Sequence, residues 1–245
     1  MSLAARGEAS GRPGSAAGLA AVFLDGEYED AEYYAAWART ADLIVAADGG
    51  GRFLTAAGLV PDILVGDFDS LDEEAVAAIG RAGARVERHP VRKDQTDGEL
   101  AVGEALRAGA GELVLAGALG ALDHVLGHLA LLRHIEAAGT PARIVAPALT
   151  VRVMVAEART VLDAAPGTRV SLAPLAGDAI VTLVGFEYDL DRGRLPLDAC
   201  LGLGNAVAGA GATIGVHEGS VAVLVASGRE AFGTMRRFEA VLPTA

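Results

Sequence analysis

From Leu19 to Val145 the chain alternates short apolar runs with helical patterns, and this rhythm restricts the fold more than any other feature. Strands are predicted at 20–24, 43–47, 63–65, 85–88, 113–116 and 142–145. Between them lie predicted helices at 30–39, 73–81, 97–108 and 123–137, and a short one through Phe53 and Leu54. Strands alternating with helices of about ten residues imply βαβ units and a mostly parallel, doubly wound sheet. Runs such as Ile63-Leu64-Val65 are apolar without alternation, as expected where both sheet faces are covered. Beyond residue 149 the rhythm changes to short β-type runs at 151–155, 160–162, 169–172, 180–184 and 221–225. Turns are expected at Ala165-Pro166-Gly167, Ala176-Gly177-Asp178, Asp191-Arg192-Gly193 and Glu218-Gly219-Ser220. Such spacing suggests an antiparallel sandwich or barrel. The expected organisation is a flexible leader at 1–18, an α/β domain at 19–149 and an all-β sandwich domain at 150–245. A short helix is expected at 230–241.

Composition excludes several function classes. The chain of 245 residues is 52% hydrophobic and 21% charged, which suits a packed core and not a disordered segment. Its net charge of −12 argues against a nucleic-acid partner, which needs a basic face. A nucleotide ligand remains open, because a bound divalent cation can invert the local field. No uninterrupted apolar run approaches the ~18 residues of a membrane span. Cys200 is the only cysteine, so no intrachain disulfide forms, and a reducing cytoplasm fits.

Ligands of open parallel sheets bind outside the carboxyl ends of the strands, and three unusual clusters fall there. Asp48-Gly49-Gly50-Gly51 follows the second strand, where glycines permit close backbone approach to an anion at a helix start. Gly66-Asp67-Phe68-Asp69-Ser70 follows the third, with two carboxylates at a spacing that suits a hard cation. Lys93-Asp94-Gln95-Thr96-Asp97-Gly98-Glu99 precedes a helix. Part of this is helix capping: Ser70 with Glu73, and Thr96 with Glu99, both match the capping box. Capping leaves Asp67, Asp69, Lys93 and Asp94 unexplained. Carboxylates converging to 4 Å repel by about 4 kcal/mol per pair at an effective dielectric near 20, which calls for a cation. Mg²⁺ uses a few carboxylates and completes its shell with phosphates, and Lys93 suits a phosphate as a point charge. Together these residues suggest phosphoryl transfer.

These motifs, in this order and spacing, resemble the thiamine pyrophosphokinase family. Gly117-Ala118-Leu119-Gly120-Ala121-Leu122-Asp123-His124 is similar to that family's Gly-rich segment, and Gly202-Leu203-Gly204-Asn205 to its Gly-x-Ser-Asn turn. Gly185 with Phe186-Glu187-Tyr188 lies where the family has a Gly-Leu-Lys-Tyr-like segment. The resemblance implies an α/β catalytic domain, a thiamine-binding β-sandwich and a homodimer. It also implies Mg²⁺, with ATP as co-substrate and transfer of an intact pyrophosphoryl group to thiamine, releasing AMP. Asp67, Asp69, Asp94 and Asp97 are then the expected metal ligands. Asp69, Lys93, Asp94 and Asp97 form the catalytic set, with Asp97 orienting or deprotonating the thiamine hydroxyl. Asp48, Gly49, Gly50, Arg92, Gly117, Gly120, Asp123 and His124 are expected around the nucleotide. Gln95, Thr96, Gly204 and Asn205 are expected around thiamine. His124 and His128 have a zinc-like spacing but lack the H-E-x-x-H context that would make it specific. Two departures stand out: Ala121 stands two residues before Asp123, where the family usually has an Arg, and Gly204 replaces Ser. They leave open another hydroxymethyl heterocycle such as a pterin, or a catalytically silent nucleotide-binding protein.

Overall fold

The computed structural model describes residues 18–226. The expected leader, apart from its last residue, and the expected helix at 230–241 lie outside the described residues. The chain divides into two compact units, one of Met1–His128 with Thr140–Ala146, the other of Leu129–Gly139 with Pro147–Ala245.

The first unit is an α/β layer. Its strands are β1 (Leu19–Phe23), β2 (Leu43–Ala47), β3 (Ile63–Gly66), β4 (Arg85–Arg88), β5 (Glu112–Ala116) and β6 (Ala142–Ala146). They pair in parallel throughout, in the order β6-β5-β1-β2-β3-β4. Strand order reverses at β1, because the chain runs outward to β4 and returns to the other side of β1 as β5. The helices are α1 (Ala31–Thr40), α2 (Gly50–Ala56), α3 (Glu73–Arg81), α4 (Asp97–Arg107) and α5 (Leu122–Ala137). Residues of α5 up to His128 belong to this unit, and those from Leu129 to the second. Asp30 caps α1 by accepting from the Tyr33 amide, and Thr96 with Glu99 forms a reciprocal capping box on α4. The capping box expected at Ser70 is absent. Asp72 caps α3 instead, accepting from the Ala75 amide at 2.7 Å. Sequence favoured the Ser/Glu spacing, but the helix begins only at Glu73, which leaves Ser70 outside the capping position. Apolar burial centres on Phe23, Tyr34, Ile44, Leu54, Leu64 and Phe68.

The second unit holds two antiparallel sheets. One orders β12 (Asn205–Ala206), β9 (Arg169–Pro174), β14 (Ser220–Ala226) and β7 (Leu149–Val155). The other orders β11 (Leu190–Leu195), β10 (Ala179–Val184), β13 (Thr213–Glu218) and β8 (Arg159–Val161). Val170, Leu172, Val181, Leu183, Ile214, Val216 and Val223 share one apolar core drawn from both sheets. Strands β11, β12 and β13 have no counterpart in the sequence expectation. The Asp191-Arg192-Gly193 turn is corrected to strand. It lies within β11, where Arg192 takes φ 47° and the pairing with β10 shifts register between Val181 and Leu183. Turn-forming residues thus serve a bulge, which sequence reads the same way as a hairpin end.

The turn from β2 to α2 packs without tolerance. A Cβ on Gly50 would stand 2.1 Å from the Phe23 carbonyl oxygen, a backbone atom that cannot step aside. Gly50→Ala is expected to cost ~3 kcal/mol. Gly103→Ala, inside α4, would meet the end of the Arg107 side chain at 3.3 Å and should be neutral or stabilising by up to ~1 kcal/mol. Thermal unfolding of the two variants against the parent checks both signs.

Candidate active site

Three adjacent parallel strands each run into an aspartate. Leu24 and Asp25 follow β1, Asp48 follows β2, and Asp67 follows β3. Asp48 is buried and takes a left-handed backbone, φ 46°, which aspartate tolerates better than most residues. Its Oδ1 accepts the Phe68 amide at 2.9 Å and so ties the turn after β3 to the end of β2. The Asp67 Oδ1 accepts the Asp69 amide at 3.2 Å. Asp97 enters from α4, as the first residue after the Thr96 cap.

Asp48, Asp67 and Asp97 each offer a carboxylate oxygen within 4.8 Å of the others. Lys93 stands against two of them, with Nζ 2.8 Å from Asp67 and 2.9 Å from Asp97, and its side chain only 14% exposed. These contacts set the titration behaviour. Burial, then the charge of Asp97, raise Asp48 to about 6; Asp67 and Asp69 add to this, and the Phe68 amide opposes it. The hydrogen bond from Lys93 holds Asp67 below the usual carboxylate range. For Lys93 itself burial pulls downward, but the Asp67 and Asp97 carboxylates more than offset it, so the ammonium is held.

The carboxylates that the fold gathers differ from the expected metal set. Asp67 and Asp97 lie in the group. Asp48, expected beside the nucleotide, is its third member because its left-handed turn points the carboxylate back under the Phe68 amide. Asp69 and Asp94 are exposed and stand outside the group; the Asp69 carboxylate accepts from Ser70 Oγ at 3.3 Å. Arg92 and Gln95 are exposed, and Thr96 is committed to its cap.

Gly49 and Gly50 open α2 and are buried. Gly117 is buried at the end of β5, close to the Tyr28 hydroxyl, which donates to the Leu24 carbonyl at 2.5 Å. Gly120, Asp123 and His124 are exposed, and the Asp123 Oδ1 accepts the His124 amide at 2.9 Å. His128 donates through Nδ1 to the Ala118 carbonyl at 2.8 Å, which makes it a support for the Gly-rich turn. Gly204 and Asn205 lie in the second unit. Asn205 is buried, and its amide bonds to the backbone around it. Oδ1 accepts from the Tyr188 and Ala206 amides, and Nδ2 donates to the Tyr188 carbonyl at 2.8 Å. Asn205 thus braces the backbone between residues 188 and 206.

Two residues at the site escaped sequence reasoning. Asp25 accepts from Ser70 Oγ at 2.9 Å, and its carboxylate lies where a Cβ on Gly49 would fall, 1.8 Å from Oδ1. Arg52 donates to the Ser70 carbonyl. Ser70 is therefore a hub joining the ends of β1 and β3 and the helix α2. The signal for Asp25 was available: it follows an apolar strand just as Asp48 and Asp67 do.

Residues 34–144 match the family model described as thiamin pyrophosphokinase, catalytic domain. Over this stretch the chain is similar to the thiamine pyrophosphokinase family. A relative named thiamine pyrophosphokinase, from Bacillus subtilis, is 27% identical over 165 residues, covering 66% of this chain and 77% of that protein. The crystal structure of thiamin pyrophosphokinase from Geobacillus thermodenitrificans superposes with a TM-score of 0.71 at 26% identity, covering 86% of this chain and 99% of that one. The Candida albicans thiamin pyrophosphokinase shares the fold at 13% identity, with a TM-score of 0.72 over 85% of this chain and 90% of that one. Asp48, Asp67, Lys93 and Asp97 all lie inside the stretch that matches the family's catalytic domain, whereas Asp25 precedes it.

The raised Asp48 carboxyl has a stability signature. A carboxyl whose folded pKa exceeds its unfolded one favours the native state most at low pH, and that contribution fades as pH rises from about 4 through about 6. Asp48→Asn keeps an oxygen for the Phe68 amide and tolerates the left-handed turn, but never ionises. The variant should match the parent near pH 4 and exceed it near pH 7 by on the order of 1 kcal/mol in metal-free denaturant titrations.

Proposed function

We propose that the protein transfers the pyrophosphoryl group of ATP to the hydroxyl of thiamine, giving thiamine diphosphate and AMP. The observation that carries this reading is the gathering of Asp48, Asp67, Asp97 and Lys93 inside the matched catalytic domain. Oxygen-only donors at this separation fit a hard cation, and the Asp97 charge adds to burial in raising Asp48, a repulsion that a cation would relieve. Asp48, Asp67 and Asp97 are the residues that would hold Mg²⁺. When bound, Mg²⁺ supplies positive charge against the triphosphate and the transferring group.

The chain's own residues supply the rest. Lys93 neutralises phosphate oxygens as a point charge. The reversal of strand order at β1 puts the Gly117 turn and the Asp25 end beside each other, the position where such sheets bind nucleotides. The thiamine hydroxyl oxygen attacks the β-phosphorus, the bond to the α–β bridging oxygen breaks, and AMP departs. Asp97 is assigned to orient that hydroxyl and receive its proton. The all-β part, 150–245, is assigned thiamine binding and dimerisation, and the enzyme is assigned to the cytoplasm. In support of the latter, no helix among the described residues is long and apolar enough to cross a membrane.

The test is one incubation with ATP, Mg²⁺ and thiamine, read for thiamine diphosphate and AMP. Both products should rise together, and release of ADP in their place would sink the reading. Asp67→Asn should lower kcat by at least ~10³-fold while shifting the unfolding midpoint by only a few degrees. Retained activity in that variant would remove Asp67 from the site.

A further inference from the structure

Lys93 is more than a phosphate ligand in waiting. Its ammonium sits at hydrogen-bonding distance from two of the three carboxylates that the proposed metal requires, 2.8 Å from Asp67 and 2.9 Å from Asp97. The three side chains are shielded, with exposures of 14% for Lys93, 8% for Asp67 and 24% for Asp97. Both Asp67 oxygens already accept a hydrogen bond, Oδ2 from Lys93 and Oδ1 from the Asp69 amide. The backbone of the site is fixed independently of Lys93. The Thr96–Glu99 capping box sets Asp97, and the Phe68 amide sets Asp48. A cation entering this group therefore meets a preformed carboxylate set whose charge is already partly spent on an internal cation.

We propose that Lys93 competes with the divalent cation for Asp67 and Asp97, so that the site discriminates against the free ion and takes the cation together with a nucleoside triphosphate. The inference rests on the metal-site reading above. Lys93 lies four residues before Asp97 on a flexible four-carbon stem and can exchange a carboxylate partner for a phosphate. A triphosphate gives the ammonium a substitute partner and frees the carboxylates for the cation. Free cation offers no such substitute and must displace the lysine unaided. Nucleotide and cation binding are thereby coupled, and by linkage each raises the affinity for the other.

The consequence has an unusual sign: removing a positive side chain that helps bind substrate should strengthen binding of the bare ion. Mn²⁺ binding to the full chain, read by the loss of the free-ion paramagnetic resonance signal, tests it without turnover. Lys93→Met should bind Mn²⁺ alone at least ~10-fold tighter than the parent. Lys93→Arg, which keeps the competing charge, should stay near the parent. A non-hydrolysable ATP analogue should raise Mn²⁺ affinity at least ~10-fold in the parent and much less in Lys93→Met. Added Mn²⁺ should raise the unfolding midpoint of Lys93→Met more than that of the parent. Equal or weaker Mn²⁺ binding by folded Lys93→Met overturns the competition while leaving the metal site standing. If neither protein binds Mn²⁺ with or without the analogue, and the parent forms no AMP, the metal-site reading itself falls and the competition falls with it.

Discussion

The first unit is organised around like charge held at close range. Three carboxylates offer oxygens within 4.8 Å of one another, and nothing in hydrophobic burial favours putting them there. What keeps them in place is backbone geometry. Asp48 is locked by its left-handed turn and the Phe68 amide, and Asp97 by the capping box at the start of α4. The repulsion is met in part by Lys93 and in part by the upward shift of Asp48. Stability is given up at this point, a usual trade at sites that need preorganised charge.

A second layer of contacts holds this arrangement from the side of β1. Ser70 donates to Asp25, the Ser70 carbonyl takes Arg52, and the Asp25 carboxylate passes over Gly49 where no Cβ intervenes. On the outer side Arg88 lies over the Phe68 ring at 4.8 Å, pairs with Glu73 and donates to the Asp67 carbonyl. The loop after β3 is thus braced from both neighbours, which suits a segment whose carboxylate must stay close to two others.

The chain fixed its own α/β character. Alternating unbroken apolar runs and helical segments can bury their faces only as a parallel sheet with covering helices. The Thr96–Glu99 cap was readable for the same reason: it depends on residues three apart. The second unit was less legible. Strand β11 reads Leu-Asp-Arg-Gly-Arg-Leu, whose turn-forming centre becomes a bulge only because β10 lies beside it.

At the site, sequence alone identified the chemistry by residue type: aspartates after apolar strands, a lysine before a capped helix, and glycines at the turns. Tertiary structure decided which of these meet. Asp48 joined Asp67 and Asp97, Asp69 and Asp94 stood outside, Asn205 came to brace its neighbours' backbone, and Ser70 turned from a supposed cap into a link to Asp25. The physical reason is common to all four. Sequence spacing states which side chains share one turn or one helix face. Convergence of strand ends, by contrast, depends on sheet order and on the backbone angle of single residues such as Asp48, and neither is written in local spacing.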